Sequence, residues 1–157
     1  MMMKTMTMIA LLVCLPLSLI AQEGVGFHEA QSERRADWVP FALRGETVWV
    51  NPDQSVSITR ADYAQLGWRG APSCVIESPV QPCLELHFTE ADRRRIAALT
   101  TRIAGQRMAV LHHGVLLAAP LISKPIVEGR VCILGITDAA MAQDLVARLE
   151  AKPPTLN

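Results

Sequence analysis

Two stretches in the second half of the chain have the pattern of a capped amphipathic helix, and they constrain the fold more than any other feature. Each follows a threonine, Thr89 or Thr137, whose hydroxyl suits the position just before a helix. Asp92 stands three residues after the first threonine, where it supports the same cap. Apolar residues then recur every three or four positions, on one helix face: Ile96, Leu99 and Ile103 in the first stretch, and Met141, Leu145 and Leu149 in the second. We expect both helices to pack this face against a sheet.

A short apolar hairpin lies between the two predicted helices. Met108–Leu111 and Val115–Ala119 have the composition of strands, and His113-Gly114 between them suits a tight turn. Both faces of these strands are apolar. The hairpin is therefore expected in the middle of a sheet that is covered on both faces.

The mixture of helices and tight hairpins predicts an α+β fold, a largely antiparallel sheet with two main helices packed on it. Further strands are predicted at residues 83–88 and Val131–Leu134. In the first half, a turn at residues 51–53 is predicted to join two strands, and a short third helix is predicted to begin after Thr59.

We assign the folded part to one domain over residues 45–152, a length that suits a single core. Residues 22–44 are polar with few apolar repeats, and we interpret them as a partly ordered N-terminal arm. Residues 153–157 are expected to be a tail.

The first 21 residues have the composition of an export signal. Lys4 precedes an apolar stretch, Met8–Ile20, and Ala21 then offers a small residue for cleavage. The stretch is shorter than the ~20 apolar residues of a membrane-spanning helix. We therefore expect a cleaved signal peptide at 1–21, a periplasmic or secreted chain, and no stable membrane insertion after cleavage.

Export to an oxidising compartment makes disulfides possible. Cys74 and Cys83 flank a short segment with two prolines, and we predict a disulfide between them. Cys132 lies in an apolar run and is expected to be a buried free thiol. The three cysteines include no CxxC pair, so they do not suggest a metal site.

The charge balance argues against nucleic acid as a partner. Lys plus Arg and Asp plus Glu are 15 each, which gives a formal net charge of zero. Such a chain has no broad positive field to attract phosphates.

No established catalytic motif is present in the sequence, neither G-x-S-x-G, nor HExxH, nor a P-loop. The histidines are His28, His87, His112 and His113. Adjacent residues of a strand point to opposite faces, so His112 and His113 are not expected to share a metal ion. We expect no catalytic residue, no metal and no cofactor. A metal-dependent hydrolase that uses His87, His112 or His113 is the alternative.

Several segments of the second half match a known family in order and spacing: Leu86–Thr89, Ala97–Thr100, Gly105–Ile122, Pro125-Ile126, Gly129-Arg130 and Met141–Leu149. Together they resemble the periplasmic P1 head of the protein-export factor SecD. The family usually has Asp before the glycine of the hairpin, where this chain has His113.

The resemblance implies an exported, non-enzymatic module that binds a polypeptide or protein partner of unknown identity. It implies only the passive part of the SecD role, because the membrane helices that follow the head in SecD have no counterpart here. We expect an edge strand to accept an extended peptide. An inhibitor or immunity-type protein of the cell envelope is the alternative.

Overall fold

The structure, a computed structural model, describes residues 23–67 and 82–150. This part of the chain contains eight strands and two helices: β1 (Val25–Gln31), β2 (Val39–Leu43), β3 (Glu46–Ile58), β4 (Tyr63–Gly67), β5 (Cys83–His87), α1 (Glu90–Arg102), β6 (Arg107–His112), β7 (Val115–Ala118), β8 (Arg130–Leu134) and α2 (Ala139–Glu150).

The strands of the described residues form two sheets, one of five strands in the order β2-β3-β1-β6-β7 and one of three in the order β4-β5-β8. All the strand pairs in them are antiparallel. The α+β class, the antiparallel pairing and the two main helices predicted from the sequence are confirmed. The strands lie in two sheets, whereas a single sheet was predicted.

The segment predicted to be a partly ordered arm contains the central strand of the larger sheet. β1 pairs with β3 on one side and with β6 on the other. The interpretation of residues 22–44 as an arm, and the domain start at 45, are therefore wrong. Gly26, His28 and Glu29 break the apolar run of β1, so the sequence does not look like a core strand, yet Gly26 and His28 are buried.

The predicted hairpin around residues 51–53 is wrong, because β3 continues through them. The turn residues instead form an irregularity in the pairing with β1, between His28 and Ala30. There the Asn51 side chain accepts a hydrogen bond from the backbone of Asp53 and donates one to Glu29. Asn51 thus forms the local bond typical of a turn without reversing the chain.

The predicted third helix after Thr59 is also wrong, since residues 63–67 form β4, which pairs with β5. Just before it, the Asp62 amide donates to the His87 carbonyl and the Ala61 amide to the Leu149 carbonyl. These long-range bonds outweigh the local helical preference of so short a segment.

Both main helices begin where the sequence predicts, within two residues. The Thr89 hydroxyl accepts from the Asp92 amide at 3.3 Å and caps α1. At α2 the cap is Asp138, whose carboxylate accepts from the Met141 amide at 2.9 Å. Thr137 instead donates its hydroxyl to the Leu116 carbonyl on β7.

The core has two parts on opposite faces of the five-stranded sheet. Along β6, Met108 and Val110 point into the larger part while Ala109 and Leu111 point into the smaller one. The larger part includes the predicted helix positions, which are Ile96, Leu99, Ile103, Leu145 and Leu149, with Met141 packed at its border. Each fully buried side chain of this kind contributes roughly 1.5–3 kcal/mol.

The predicted hairpin is present, and β6 lies inside the sheet with both faces covered. β7, in contrast, is an edge strand, and the sheet curls so that β7 comes close to the other edge strand, β2. No helix in the described ranges is long and apolar enough to cross a membrane.

Candidate functional site: a surface trough and a histidine cluster

The disulfide of the structure joins Cys83 to Cys132, not to Cys74 as predicted. Cys83 faces Leu134 across the β5–β8 pair, and Cys132 lies two residues before Leu134, on the same face of the sheet. Their Cα atoms are 6.3 Å apart, within the range of a disulfide. Cys132 is therefore not the free thiol that was predicted, and Cys74 lies outside the described residues.

Two of the histidines singled out in the sequence lie apart from the others. His28 is buried in β1, and its Nδ1 is 3.1 Å from the Asn51 carbonyl. Burial lowers the pKa of His28, and the bond to Asn51 counteracts this only in part. His87 lies on β5, and its Nε2 is 3.0 Å from the Glu85 carboxylate.

The other two histidines come together with Asp144, a residue of α2. One ligand atom of each residue lies within 4.8 Å of the others. The His112 ring is buried, with Nδ1 against the Gly24 carbonyl and Nε2 at 3.2 Å from the Asp144 carboxylate. The expectation that His112 and His113 point apart is wrong, because their ring centroids are 4.2 Å apart.

The hairpin turn explains this arrangement. His113 has a φ of +47° and Gly114 one of +74°, so both adopt the left-handed conformation of a two-residue turn. Alternation of side chains holds only in extended strands, and His113 has already left the strand. The sequence signal for this orientation is the place of His113 directly before Gly114, which makes it a turn residue of a two-residue hairpin.

The carboxylate of Asp144 also contacts Arg148, whose Nε donates to Oδ2 at 2.7 Å one helical turn later. The hydrogen bond from Arg148, followed by the one with His112, holds the pKa of Asp144 below its usual range. Asp144 is therefore ionised at neutral pH.

A groove of about 240 Å³ opens where the two edges of the curled sheet approach each other. Its apolar wall consists of Leu43, Ala119, Pro120 and Leu134. Arg44, Glu46 and Arg107 supply its charges, and Arg107 lies 3.5 Å from Glu46.

A second groove adjoins the first at Arg107, which lines both. This second groove runs past Gln31–Glu33 to Leu121, whose surface is 65% exposed. We call the two grooves together the trough. Its apolar patches and paired charges form an open binding surface, unlike the enclosed, mostly apolar pocket that small ligands occupy.

The edges of the five-stranded sheet offer little to an added strand. A two-residue turn at Arg44-Gly45 sets the β2–β3 register. In this register every second residue of β2 forms backbone hydrogen bonds with β3, and the backbone of Pro40 faces outward, away from β3. Proline has no N–H to donate there. At the other edge, the Thr137 amide donates to the Leu117 carbonyl at 3.0 Å. The trough is therefore a better candidate for binding a chain than either edge of the five-stranded sheet.

The family model described as "SecDF, P1 head subdomain" matches residues 71–153, more than half of the 157 residues. The chain belongs to the SecDF P1 head family. This confirms the resemblance on which the sequence analysis relied. The match includes β5 to α2, whereas β1 to β4 lie upstream of it.

A curated relative covers the same region. The protein translocase subunit SecD of Acidaminococcus fermentans is 38% identical over 71 residues, which are 45% of this chain and 17% of that protein. The chain thus spans less than a fifth of the SecD relative that it matches.

Two solved structures share the fold over a longer stretch. One, described as "Structure and function of a membrane component SecDF that enhances protein export", has a TM-score of 0.53 and 18% identity, over 85% of this chain and 64% of that one. Another, "Crystal structure of SecDF in Super-membrane-facing form", has a TM-score of 0.51 and 19% identity, over 87% and 20%. At such low identity the similarity concerns the fold alone.

Proposed function

We propose that this P1 head protein is a periplasmic, non-catalytic module of protein export that holds a segment of polypeptide in the trough. Membership of the SecDF P1 head family is the observation that carries the proposal. The curated relative is a translocase subunit, and one of the similar structures is described as enhancing protein export. A polypeptide in transit is the partner that best suits this setting.

The chemistry of the trough supports an unfolded chain as the occupant. Leu121 and Leu43 offer apolar contacts. Arg107 and Glu46 lie close to each other, and each of them can pair instead with a charged group of a passing chain. Shallow apolar patches with adaptable polar groups bind many sequences weakly. Weak, sequence-tolerant binding suits a protein that must release its client.

Site-specific photocrosslinking in the native cell envelope tests this proposal. A photoreactive amino acid replaces Leu121 in the trough or, as the matched control, Val127, which is 56% exposed and lines neither groove. We expect Leu121 to capture several exported polypeptides during ongoing export, and Val127 to capture few.

Two other outcomes would contradict the proposed function or favour a different one. Equal capture at both positions would contradict binding in the trough. Capture of one partner in a fixed ratio at Leu121 would favour the inhibitor or immunity-type alternative, because such proteins bind a single target tightly.

A further inference from the structure

His112 faces two oxygens that only accept hydrogen bonds. Its Nδ1 contacts the Gly24 carbonyl, and its Nε2 lies 3.2 Å from Oδ2 of Asp144. A neutral imidazole carries a single N–H. With that proton on Nε2, His112 donates to the Asp144 carboxylate. With the proton on Nδ1 instead, bonded to the nearer Gly24 carbonyl, Nε2 has a lone pair beside the carboxylate, and a cation between Nε2 and Oδ2 would take the place of the Nε2 proton.

The Gly24 carbonyl is held firmly in place for this role. Gly24 has a φ of +88°, and a Cβ there would overlap the Ile58 backbone. Only glycine therefore brings the chain so close to β3. A carbonyl that fixes Nδ1 of a histidine and leaves Nε2 for a metal is a usual arrangement around metal sites.

His113 supplies the next observation. Its Nε2 is shielded from solvent, yet it has no hydrogen-bond partner among the described residues. A buried ring nitrogen without a partner is costly. A proton shared by His112 and Asp144 would leave this atom unsatisfied, whereas a metal ion can satisfy all three residues.

We propose that His112, His113 and Asp144 bind a divalent transition-metal ion of the zinc type. Two imidazole nitrogens and one carboxylate oxygen suit Zn²⁺, and their bonds to it are about 2.0–2.2 Å long. The separation of 3.2 Å between His112 and Asp144 already matches two ligands of one tetrahedral ion. His113, in a surface turn, approaches by a small side-chain movement, and water takes the fourth position.

The guanidinium of Arg148 competes with the ion for Asp144, because its Nε donates to the same carboxylate oxygen at 2.7 Å. Its side chain is 54% exposed. It therefore turns towards solvent when the ion enters, and the second carboxylate oxygen remains available to it. This competition makes the site weaker than a closed structural zinc site.

A bound ion would fasten three parts of the fold to one another. His112 and His113 belong to the β6–β7 hairpin, Asp144 belongs to α2, and Gly24 leads into β1. The grooves of the trough are lined by other residues. We therefore assign the ion a stabilising role that is independent of polypeptide binding.

Calorimetric titration of the purified chain with ZnCl₂ tests the site. We expect one ion per chain, and at least about a tenfold loss of affinity in His113→Asn, because one of three protein ligands is removed. Asparagine tolerates the left-handed turn, so this variant retains the hairpin. His87→Asn, away from the cluster, and Cys74→Ser, which removes a thiol, should bind as the wild type does.

Thermal unfolding gives a second readout. Zinc should raise the unfolding midpoint of the wild type and of His87→Asn, but hardly that of His113→Asn, because an ion stabilises only the state that binds it. Absence of zinc binding to the wild type would overturn the proposal. Equal affinities of the wild type and His113→Asn would overturn it too, and neither result bears on the trough.

Discussion

At the scale of single residues, His28 makes the stability of the fold depend on pH. It is 1% exposed, and burial lowers its pKa below that of the unfolded chain. The folded state therefore binds a proton less readily than the unfolded state does. The contribution of neutral His28 is fully present above the unfolded pKa, near ~6.5, and it is lost as the pH falls through that value towards the folded pKa.

We expect the urea midpoint of the wild type to fall between pH 7.5 and pH 5 for this reason. In His28→Gln, whose amide can still donate to the Asn51 carbonyl, the urea midpoint should fall much less over this pH range. His87→Gln, a change at a partly exposed histidine on β5, should retain it. The assignment to His28 would be wrong if His28→Gln depended on pH as steeply as the wild type.

Thr89 is the residue that starts α1, and its effect is measurable by itself. Thr89→Ala leaves the Asp92 amide without its acceptor, which costs about 1 kcal/mol of unfolding free energy. Thr101→Ala is the matched control, because Thr101 is exposed and bonds only a carbonyl of its own helix. Alanine is the better helix former there, so urea unfolding should show no loss. Equal losses in the two variants would argue against the cap.

At the scale of elements, the disulfide joins the middle strand of the smaller sheet, β5, to the edge strand β8. It closes a loop over a sequence separation of 49 residues, and α1, β6 and β7 lie within that loop. Crosslinks over loops of this length typically contribute about 2–4 kcal/mol, mainly by restricting the unfolded chain.

Replacing Cys83 and Cys132 by serine should therefore lower the unfolding free energy by about 2–4 kcal/mol. Cys74→Ser should leave it within about 0.5 kcal/mol of the wild type. Peptide mapping of the oxidised protein checks the pairing directly. A peptide that links Cys74 to Cys83 would support the pairing predicted from the sequence and contradict the one in the structure.

The elements that the sequence predicts well are those whose signals are local. α1 carries its own cap and apolar stripe, and the β6–β7 turn carries its own glycine, Gly114. β1 and β4 are strands only because of partners far along the chain, β6 and β5, so their own residues give weak signals. The same holds for the disulfide, since the β5–β8 register that brings Cys83 to Cys132 is set by the whole smaller sheet.

The candidate sites were predictable to a lesser degree than the fold. His112 and His113 could be singled out by their chemistry, but Asp144 lies on a helix 32 residues beyond His112. Only tertiary packing brings them together. The trough, likewise, depends on a curl of the sheet that no local pattern records.

At the scale of the whole molecule, the domain is larger than the part that the family model matches. β1 lies at the centre of the five-stranded sheet, between β3 and β6, although it is 40 residues or more upstream of residue 71. Without β1, β6 would lose a neighbour, and the core would lose the fully buried Val25 and Phe27. The similarity to SecDF structures over 85% of the chain agrees with a domain that includes these upstream strands.

A fragment of residues 45–157 should therefore fail to fold, whereas a fragment of residues 23–157 should fold. The shorter one lacks both β1 and β2, so β3 has no partner strand and β6 has an unpaired edge, and such edges favour aggregation. Dispersed amide resonances and a cooperative unfolding transition are expected for 23–157, and aggregation or collapsed spectra for 45–157. Adding a synthetic peptide of residues 23–44 should restore part of the structure, because β1 and β2 can pair from a separate chain. Cooperative folding of 45–157 alone would contradict the central place of β1 and return the domain start to residue 45.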